Sequence, residues 1–282
     1  MRQEYDVIIV GAGPAGIFAA VELVRSGVNG IVIIEKGKPL ALRRCPVHGQ
    51  GCVRCARCDI VSGWGGAGAF SDGKLTLTSE VGGWLADYVG EAALVELIAY
   101  SDGIWLEFGA DTHVHGPDPD AAARLGRAAA LAGMALTPMR VRHLGTDRSP
   151  RILGAMHDHL VTAGVEVMTG VGASAIDVDA GRVTGVTLDD GRVLRAPSVI
   201  VAPGREGAEW LASQASLLGI RLTNNQVDIG VRVEAPAPVM EPLTDALYEA
   251  KLTYYSRRFG DRVRTFCMNP YGQVTTESYG DI

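Results

Sequence analysis

The chain has 282 residues, of which 47% are hydrophobic and 21% are charged, enough for one large domain or two moderate ones. The net charge of −6 gives no indication of a nucleic-acid-binding surface. No apolar run reaches the roughly 18 residues of a membrane span, and no cationic leader precedes the first apolar run. Four of the five cysteines fall within 14 residues, unlike a secreted disulfide framework, so we expect a cytoplasmic protein that binds neither nucleic acid nor membrane.

The first 36 residues have the pattern of a strand, a glycine turn, a helix and a second strand. The apolar run 6–10 predicts the first strand, and the segment 11–16, Gly-Ala-Gly-Pro-Ala-Gly, follows it directly. Residues 17–26 predict the helix and residues 31–34 predict the second strand, which ends at Glu35. Glycines, helix and acid in this register form the dinucleotide-binding fingerprint.

Each residue of this fingerprint has a physical role. Gly11 permits the tight turn, Gly13 lets the backbone approach a pyrophosphate at the positive end of the helix, and Gly16 allows close packing. Glu35 is placed to accept hydrogen bonds from both hydroxyls of an adenosine ribose, and it would repel a 2′-phosphate. The predicted nucleotide contacts are Gly11, Gly13, Pro14, Ala15, Gly16, Glu35 and Lys36.

The next stretch changes from loop to helix. Residues 37–83 are rich in glycine and cysteine, and a loop of this length in a compact domain is usually functional. Residues 84–100 and 119–134 carry apolar or alanine-rich patterns near helical spacing. Residues 152–163 predict an amphipathic helix.

The second half of the chain is predicted to be richer in strands. Residues 173–201 have the pattern of a β-meander, with turns at 179–181 and 189–191. The last apolar strand of this region, 199–202, ends at Pro203-Gly204. A helix is predicted over 206–218, and further strands are predicted over 227–233, 264–268 and 273–276.

Several motifs outside the fingerprint are specific enough to indicate a family. They are Cys45-Pro46, Cys52-x2-Cys55-x2-Cys58, the segment 63–75 (GWGGAGAFSDGKL), 143–147 (HLGTD), 201–205 (VAPGR), 228–234 (DIGVRVE) and 265–270 (TFCMNP). Together they resemble the bacterial FAD-dependent dehydrogenases of unassigned substrate, flavoproteins with a glutathione-reductase-like FAD domain. The resemblance covers nearly the whole chain.

The resemblance implies an α/β fold: a Rossmann-like FAD/NAD(P)-binding domain with a parallel sheet and a β-meander, a helical insertion and a partial β-rich substrate domain. We expect the FAD-binding domain at 1–83 and 144–205, the insertion at 84–143, and the substrate or cap domain at 206–282. Members of the family continue beyond the 265–270 motif with a last strand and helix. A chain ending at residue 282 is therefore expected to be truncated at its C-terminus.

FAD and NAD use the same fingerprint, and three features favour FAD. The motif lies at the start of the chain, Lys36-Gly37 follows the acid, and a meander with an Ala-Pro-Gly strand end lies downstream. The resemblance also implies further FAD contacts. They are Gly66, Ala67, Gly68, Ser71, Asp72, Lys74, Ala173, Ala202, Pro203 and Gly204.

The loop that contains residues 63–75 suggests specific contacts. Exposed backbone N–H groups at Gly66–Gly68 can surround a pyrophosphate or flavin dipoles. Ser71 and Asp72 can bond the flavin edge or its ribityl chain, and Lys74 can stabilise negative charge near N1 of the reduced flavin. Asp72 and Lys74 are thus the catalytic candidates. The alternative is a surface loop with a solvated Lys-Asp pair.

The cysteine run leaves several interpretations open. Cys52, Cys55 and Cys58 have the spacing of three ligands of a [4Fe–4S] cluster, with Cys45 as the nearest fourth ligand and Cys267 as the remote one. The same four thiols are compatible with zinc. Cys55 and Cys58 could instead form a redox disulfide, or all four could be packing thiols. The flanking arginines would neutralise a thiolate-rich site or form a solvated basic face; they are Arg43, Arg44, Arg54 and Arg57.

The remaining polar residues give little indication of chemistry. His113 and His115, like His157 and His159, are expected to be surface or capping residues. The function predicted from these features is hydride transfer between FAD and an unidentified organic substrate or NAD(P)H. Two alternatives remain: flavin-to-cluster electron transfer through the cysteine loop, and an inactive truncated fragment.

Overall fold

A computed structural model describes residues 3–47, 52–71, 73–116, 118–145, 147–224 and 226–272. The strands are β1 (Val7–Val10), β2 (Ile31–Glu35), β3 (Lys74–Thr76), β4 (Ala135–Thr137), β5 (Val141–His143), β6 (Glu166–Thr169), β7 (Ala173–Asp179), β8 (Arg182–Leu188), β9 (Val193–Arg195), β10 (Ser198–Val201), β11 (Lys251–Tyr255) and β12 (Arg262–Arg264). The α-helices are α1 (Pro14–Arg25), α2 (Leu85–Val89), α3 (Glu91–Glu107), α4 (Pro119–Leu131), α5 (Ser149–Thr162), α6 (Ala208–Leu217) and α7 (Ala237–Leu247).

The chain divides into two compact units. Of the described residues, the first unit takes 3–71 and 149–229, and the second takes 73–148 and 230–272. Within its described residues, the chain therefore crosses between the units three times. Over the described stretches, no helix is both long enough and apolar enough to span a bilayer.

A parallel sheet forms the centre of the first unit, in the order β10-β1-β2-β6. Val7 lies opposite Ser198 on one side and Ile31 on the other, and α1 connects the two central strands. All residues of β1 and β2 are buried, as expected for parallel strands covered on both faces. The fingerprint turn therefore lies at the carboxyl end of a central strand, where α/β sheets bind ligands.

A three-stranded antiparallel meander, β7-β8-β9, belongs to the same unit. Its strands approach closely at Gly185, where an added Cβ would lie 1.9 Å from the Leu194 carbonyl oxygen. Tyr5, Val32 and Leu194 belong to one core cluster that joins the parallel sheet to the meander. The expected α/β class, with a parallel sheet and a meander, is confirmed.

The second unit combines helices with short antiparallel strands. One sheet has the order β12-β11-β4, and a separate pair joins β3 to β5 with Lys74 opposite His143. Leu247 and Ala250 are buried between α4, α7 and β11. The buried Arg142 forms two bonds to the Asp102 carboxylate, of 2.6 and 2.8 Å, which join β5 to α3.

The unit boundaries differ from the expected domain boundaries. The expected division separated 84–143 from the residues after 205, whereas β4 pairs with β11 and brings both segments into one unit. This long-range pairing has no local sequence signal. The assignment of FAD binding and substrate binding to separate domains stays a prediction.

Some predicted strands are wrong. Within the described part of 227–233, no residue is in a strand, because no described segment pairs with it; Ile229 is 95% exposed. Of the segment predicted at 264–268, only its first residue is in a strand, at the end of β12. The strand predicted at 273–276 lies outside the described residues.

Candidate cofactor site

The glycine turn after β1 has the geometry that its sequence predicts. Gly11 has a φ of +105°, and a Cβ there would lie 2.1 Å from the Ala202 carbonyl oxygen. A Cβ on Gly16 would lie 2.0 Å from the Gly11 carbonyl oxygen. Gly13 differs, because a Cβ there would meet nothing within 4 Å. The turn is thus closed at its two outer glycines and has open space beside Gly13.

The helix that follows begins with an uncapped end. Gly13 is the N-cap and Pro14 is the first helical residue, and no side chain accepts a hydrogen bond from the first turn. The first turn also contains no acidic residue. The positive end of the helix dipole therefore keeps the capacity to bind an anion such as a pyrophosphate.

The carboxylate of Glu35 connects three separate backbone segments. One oxygen accepts the N–H of Ala12 at 2.9 Å, and the other accepts those of Gly37 at 2.7 Å and Gly63 at 2.9 Å. The residue is only 7% exposed. A carboxylate accepts about four hydrogen bonds, so about one acceptor position remains for a ligand.

The glycine-rich segment beyond Gly63 packs against the fingerprint turn. Gly65 donates its N–H to the Ala12 carbonyl at 2.8 Å, and a Cβ on Gly66 would lie 3.1 Å from the Cα of Gly13. Gly66–Phe70 forms a 3₁₀ helix, and Gly68 faces the Pro14 ring. The structure therefore brings the Gly66, Ala67 and Gly68 segment beside the turn.

Arg43 holds this segment in place through hydrogen bonds to backbone carbonyls. Its buried guanidinium donates to four backbone carbonyls, those of Asp59, Ile60, Trp64 and Gly66, and it lies 4.8 Å from the Phe70 ring centre. Burial lowers the pKa of Arg43 to about 10, although the charges of Glu35, Asp59 and Cys58 raise it, so the group stays charged at neutral pH. The sequence indicated Arg43 only as one of the charges that flank the cysteine run, and it did not predict these hydrogen bonds.

Trp64 is a second residue that the sequence did not indicate. It is 1% exposed, donates its indole N–H to the Leu153 carbonyl at 2.8 Å, and meets the His157 ring edge-on. This contact joins the loop to α5. In the sequence, the position of a large tryptophan between two glycines could have indicated such an anchor.

The other predicted contacts of the first unit belong to several different elements. Ala202 donates its N–H to the Val10 carbonyl at 2.8 Å, and Pro203 and Gly204 follow it. Lys36 forms an ion pair with Glu206, whose carboxylate also accepts the Ser62 hydroxyl at 2.6 Å. Ser71 is exposed at the end of the 3₁₀ helix. Ala173 begins β7 and packs against the core cluster.

The structure describes only one of the two catalytic candidates. Asp72 lies outside the described residues. Lys74 belongs to the second unit, where its ammonium lies 2.8 Å from the Glu249 carboxylate and 2.6 Å from the Cys267 sulfur. Burial disfavours its charge, but these partners outweigh burial and place the pKa of Lys74 above its usual value. Its expected contact with FAD stays a prediction.

The described cysteines of the run are brought to one place. Cys45, Cys52, Cys55 and Cys58 all line one small cavity of about 30 Å³, and each is a thiol rather than half of a disulfide. Across the described residues, no group of three or more His, Cys, Asp or Glu side chains is arranged to hold a metal ion. The metal assignment stays a prediction, and no chemical step is derived from it.

A cluster of aromatic side chains in the second unit was also missed. The ring of Tyr248 lies 4.7 Å from that of His115 and 4.9 Å from that of His143. Burial and the neighbouring His113 and His143 lower the pKa of His115. The sequence predicted a surface or capping role for His115. It did not indicate these ring contacts, because Tyr248 and His143 are distant from His115 in sequence.

The second unit also contains an apolar groove of about 290 Å³. It lies between β3 and helices α2 and α3. Its apolar lining includes Leu75, Leu77, Leu85, Leu94, Leu97, Ile98 and Trp105. The volume is near the lower end of the range for small-molecule sites.

Comparison with known proteins agrees with the geometry of the turn. Residues 6–230 match the family described as "FAD binding domain". An uncharacterized protein of Clostridium beijerinckii is 26% identical over 284 aligned residues, which cover 95% of this chain and 45% of that protein. A thioredoxin reductase of Ureaplasma parvum is 58% identical over 40 residues, covering 14% of this chain and 13% of that protein. The chain thus spans less than half the length of these curated relatives.

One solved structure that the comparison found is L-amino acid deaminase from Proteus vulgaris, in a form that lacks its specific insertion sequence. It is 16% identical, covers 76% of this chain and 56% of its own, and has a TM-score of 0.46. The family match covers most of the chain, and the chain therefore belongs to the FAD binding domain family. The expected flavoprotein class and FAD as the cofactor are confirmed.

Replacing Arg43 should destabilise the first unit strongly. Arg43→Met leaves four carbonyls without their charged donor, so we expect a loss of about 3 kcal/mol or more in the free energy of unfolding. Arg44→Met, at the exposed neighbouring position, is the control and should cost less than about 0.5 kcal/mol. Urea unfolding followed by tryptophan fluorescence measures both. Equal, small losses in the two variants would contradict the role assigned to Arg43.

Proposed function

We propose that the protein is an FAD-dependent oxidoreductase, a dehydrogenase that transfers a hydride between FAD and a small organic substrate. One observation supports the proposal most strongly. The space beside Gly13 is open at the uncapped start of α1, and Glu35 at the end of β2 bonds the neighbouring Ala12. Membership of the FAD binding domain family supports the choice of cofactor.

The chain's own residues would hold the AMP half of FAD. The backbone N–H groups at the start of α1 would bind the pyrophosphate, with Gly13 leaving room for it. Glu35 already accepts three backbone N–H groups, so we propose that it accepts one ribose hydroxyl rather than the two expected from the sequence. Its negative charge disfavours a 2′-phosphate.

Bound FAD supplies a two-electron hydride acceptor and donor. Residues Gly66–Gly68 would cover the phosphates and exclude water, since they already lie against Gly13 and Pro14. We place the organic substrate in the apolar groove of the second unit, whose lining favours a substrate with an apolar part. Asp72 and Lys74 remain the proposed catalytic residues.

The proposal also covers the electron donor, the compartment and a second function. NAD(P)H is the proposed electron donor, because flavins commonly take hydride from nicotinamides. The cytoplasm is the proposed compartment, because four cysteines within 14 residues are unlike a secreted disulfide framework. A second proposed function is relay of single electrons through the cysteine loop, which the shared cavity of its four cysteines favours. Iron content per chain after anaerobic purification tests that alternative.

Substitution of Gly13 should weaken FAD binding without unfolding the chain. The Cβ of Gly13→Ala would meet no protein atom, but it would enter the space assigned to the pyrophosphate. We expect FAD affinity to fall about tenfold or more, while the unfolding midpoint of the FAD-free chain changes little.

The matched control is Gly126→Ala in α4, where a Cβ also meets nothing within 4 Å. Its FAD affinity should equal that of the unsubstituted chain. Titration of FAD, followed by its fluorescence, gives both values. Unchanged affinity in Gly13→Ala would contradict the assigned position of the pyrophosphate.

Redox chemistry is tested by bleaching of the bound flavin under anaerobic conditions. NADH, NADPH and a set of small alcohols and amines are added to the FAD-loaded chain, with free FAD as the control. We expect at least one donor to bleach bound FAD much faster than free FAD, because the protein orients the donor. If only dithionite bleaches the bound FAD, as it does free FAD, the proposed function is wrong while FAD binding still stands.

A further inference from the structure

Three charged side chains are buried together in the second unit. The Glu249 carboxylate lies 2.8 Å from the Lys74 ammonium and 2.5 Å from the Lys251 ammonium. The exposed fractions of the three side chains are 8%, 7% and 10% for Lys74, Glu249 and Lys251. Burial raises the pKa of Glu249, but the two lysines outweigh it and hold that pKa below its usual range. Such groups are rarely buried unless they are paired.

The backbone before Glu249 adopts an unusual conformation. Tyr248 has φ and ψ of 60° and −51°, and the Glu249 N–H donates to the Leu247 carbonyl at 2.7 Å. A three-residue turn of this hand is rare and strained for a residue with a side chain. Strained backbone of this kind is concentrated at functional sites. Here it directs the Glu249 carboxylate toward the two lysines.

The buried cluster fixes the segment that carries Cys267. Lys251 donates to the Phe266 carbonyl at 2.7 Å, and Lys74 donates to the Met268 carbonyl at 2.5 Å. On either side of Cys267, the backbone is therefore held by a buried ammonium. The Cys267 residue itself is exposed, and its sulfur lies 2.6 Å from the Lys74 nitrogen.

The three groups have the arrangement of an activated nucleophile. Cys267 is the accessible nucleophile, Lys74 is the cation within hydrogen-bond reach, and Glu249 orients that cation from its other side. A nearby ammonium stabilises a thiolate, which is the reactive form of cysteine. Burial disfavours the charge of Lys74, but its bonds to Cys267 and Glu249 raise the pKa of Lys74, so the cation beside the sulfur persists through neutral pH.

We propose that Cys267, Lys74 and Glu249 form a peroxide-reactive thiol centre within the second unit. The Cys267 thiolate attacks one oxygen of hydrogen peroxide, a sulfur–oxygen bond forms and the oxygen–oxygen bond breaks. Sulfur loses two electrons to the peroxide, and the departing hydroxide takes the proton that the thiol had released. The products are a cysteine sulfenic acid and one water. Lys74 donates a hydrogen bond to the departing oxygen.

The sulfenic acid is the product expected from the groups of the second unit alone. The other four cysteines of the sequence, at 45, 52, 55 and 58, all belong to the first unit, so the second unit supplies no thiol of its own for a disulfide. Oxidation removes the thiolate charge that faces Lys74. The centre is thus a modification site whose state reports the local peroxide concentration.

The test measures peroxide oxidation of each cysteine in the same FAD-loaded chain. Hydrogen peroxide is added, sulfenic acids are trapped with dimedone, and peptide mass spectrometry gives a rate for every cysteine. We expect Cys267 to react at least about tenfold faster than the exposed Cys52 and Cys55. Lys74→Met should slow Cys267 about tenfold, and Lys74→Arg should restore most of the rate because it keeps the cation.

Arg262→Met is the control, since it removes an exposed cation of the same unit, on β12. It should change the Cys267 rate by no more than about threefold. The circular dichroism spectrum and the unfolding midpoint of each variant verify that it is folded. The proposal is overturned if Cys267 reacts no faster than Cys52 and Cys55, or if the Lys74→Met and Arg262→Met variants slow it equally.

Discussion

The three hydrogen bonds accepted by the Glu35 carboxylate hold the candidate cofactor site together. They join the turn after β1, through Ala12, to the segment after β2 and to Gly63 at the start of the glycine-rich loop. A buried carboxylate is stable only when it is satisfied in this way, and the bonds in turn fix the backbone beside the start of α1. The same acid has about one acceptor position left, so in the proposed complex the support of the fold and the binding of the ribose use one group.

The features that the sequence predicted well are local ones. The glycine turn, α1 and β2 follow one another within 35 residues, and each glycine has its own steric reason, such as the close approach of Ala202 to Gly11. The meander was also predicted, because apolar alternation and Asp-Gly turns are read within a few residues. FAD as cofactor came from these elements together with the resemblance.

The features that the sequence did not predict depend on distant contacts. The buried role of Arg43 depends on carbonyls up to 23 residues away, and the Lys74–Cys267 contact joins positions 193 residues apart. Tyr248 has no sequence signal for its strained backbone. The error at 227–233 has the opposite cause, because alternating apolar residues predict a strand only when a partner strand is present. Charged and irregular parts of the site therefore required the structure.

The central claim is that the turn at residues 11–16, with Glu35, holds the AMP half of FAD. A crystal structure of the chain with FAD tests it most directly. The account predicts the pyrophosphate within hydrogen-bond distance of the backbone N–H groups at the start of α1, and one ribose hydroxyl on Glu35. Electron density that places the pyrophosphate away from this turn, or the ribose away from Glu35, would contradict the account.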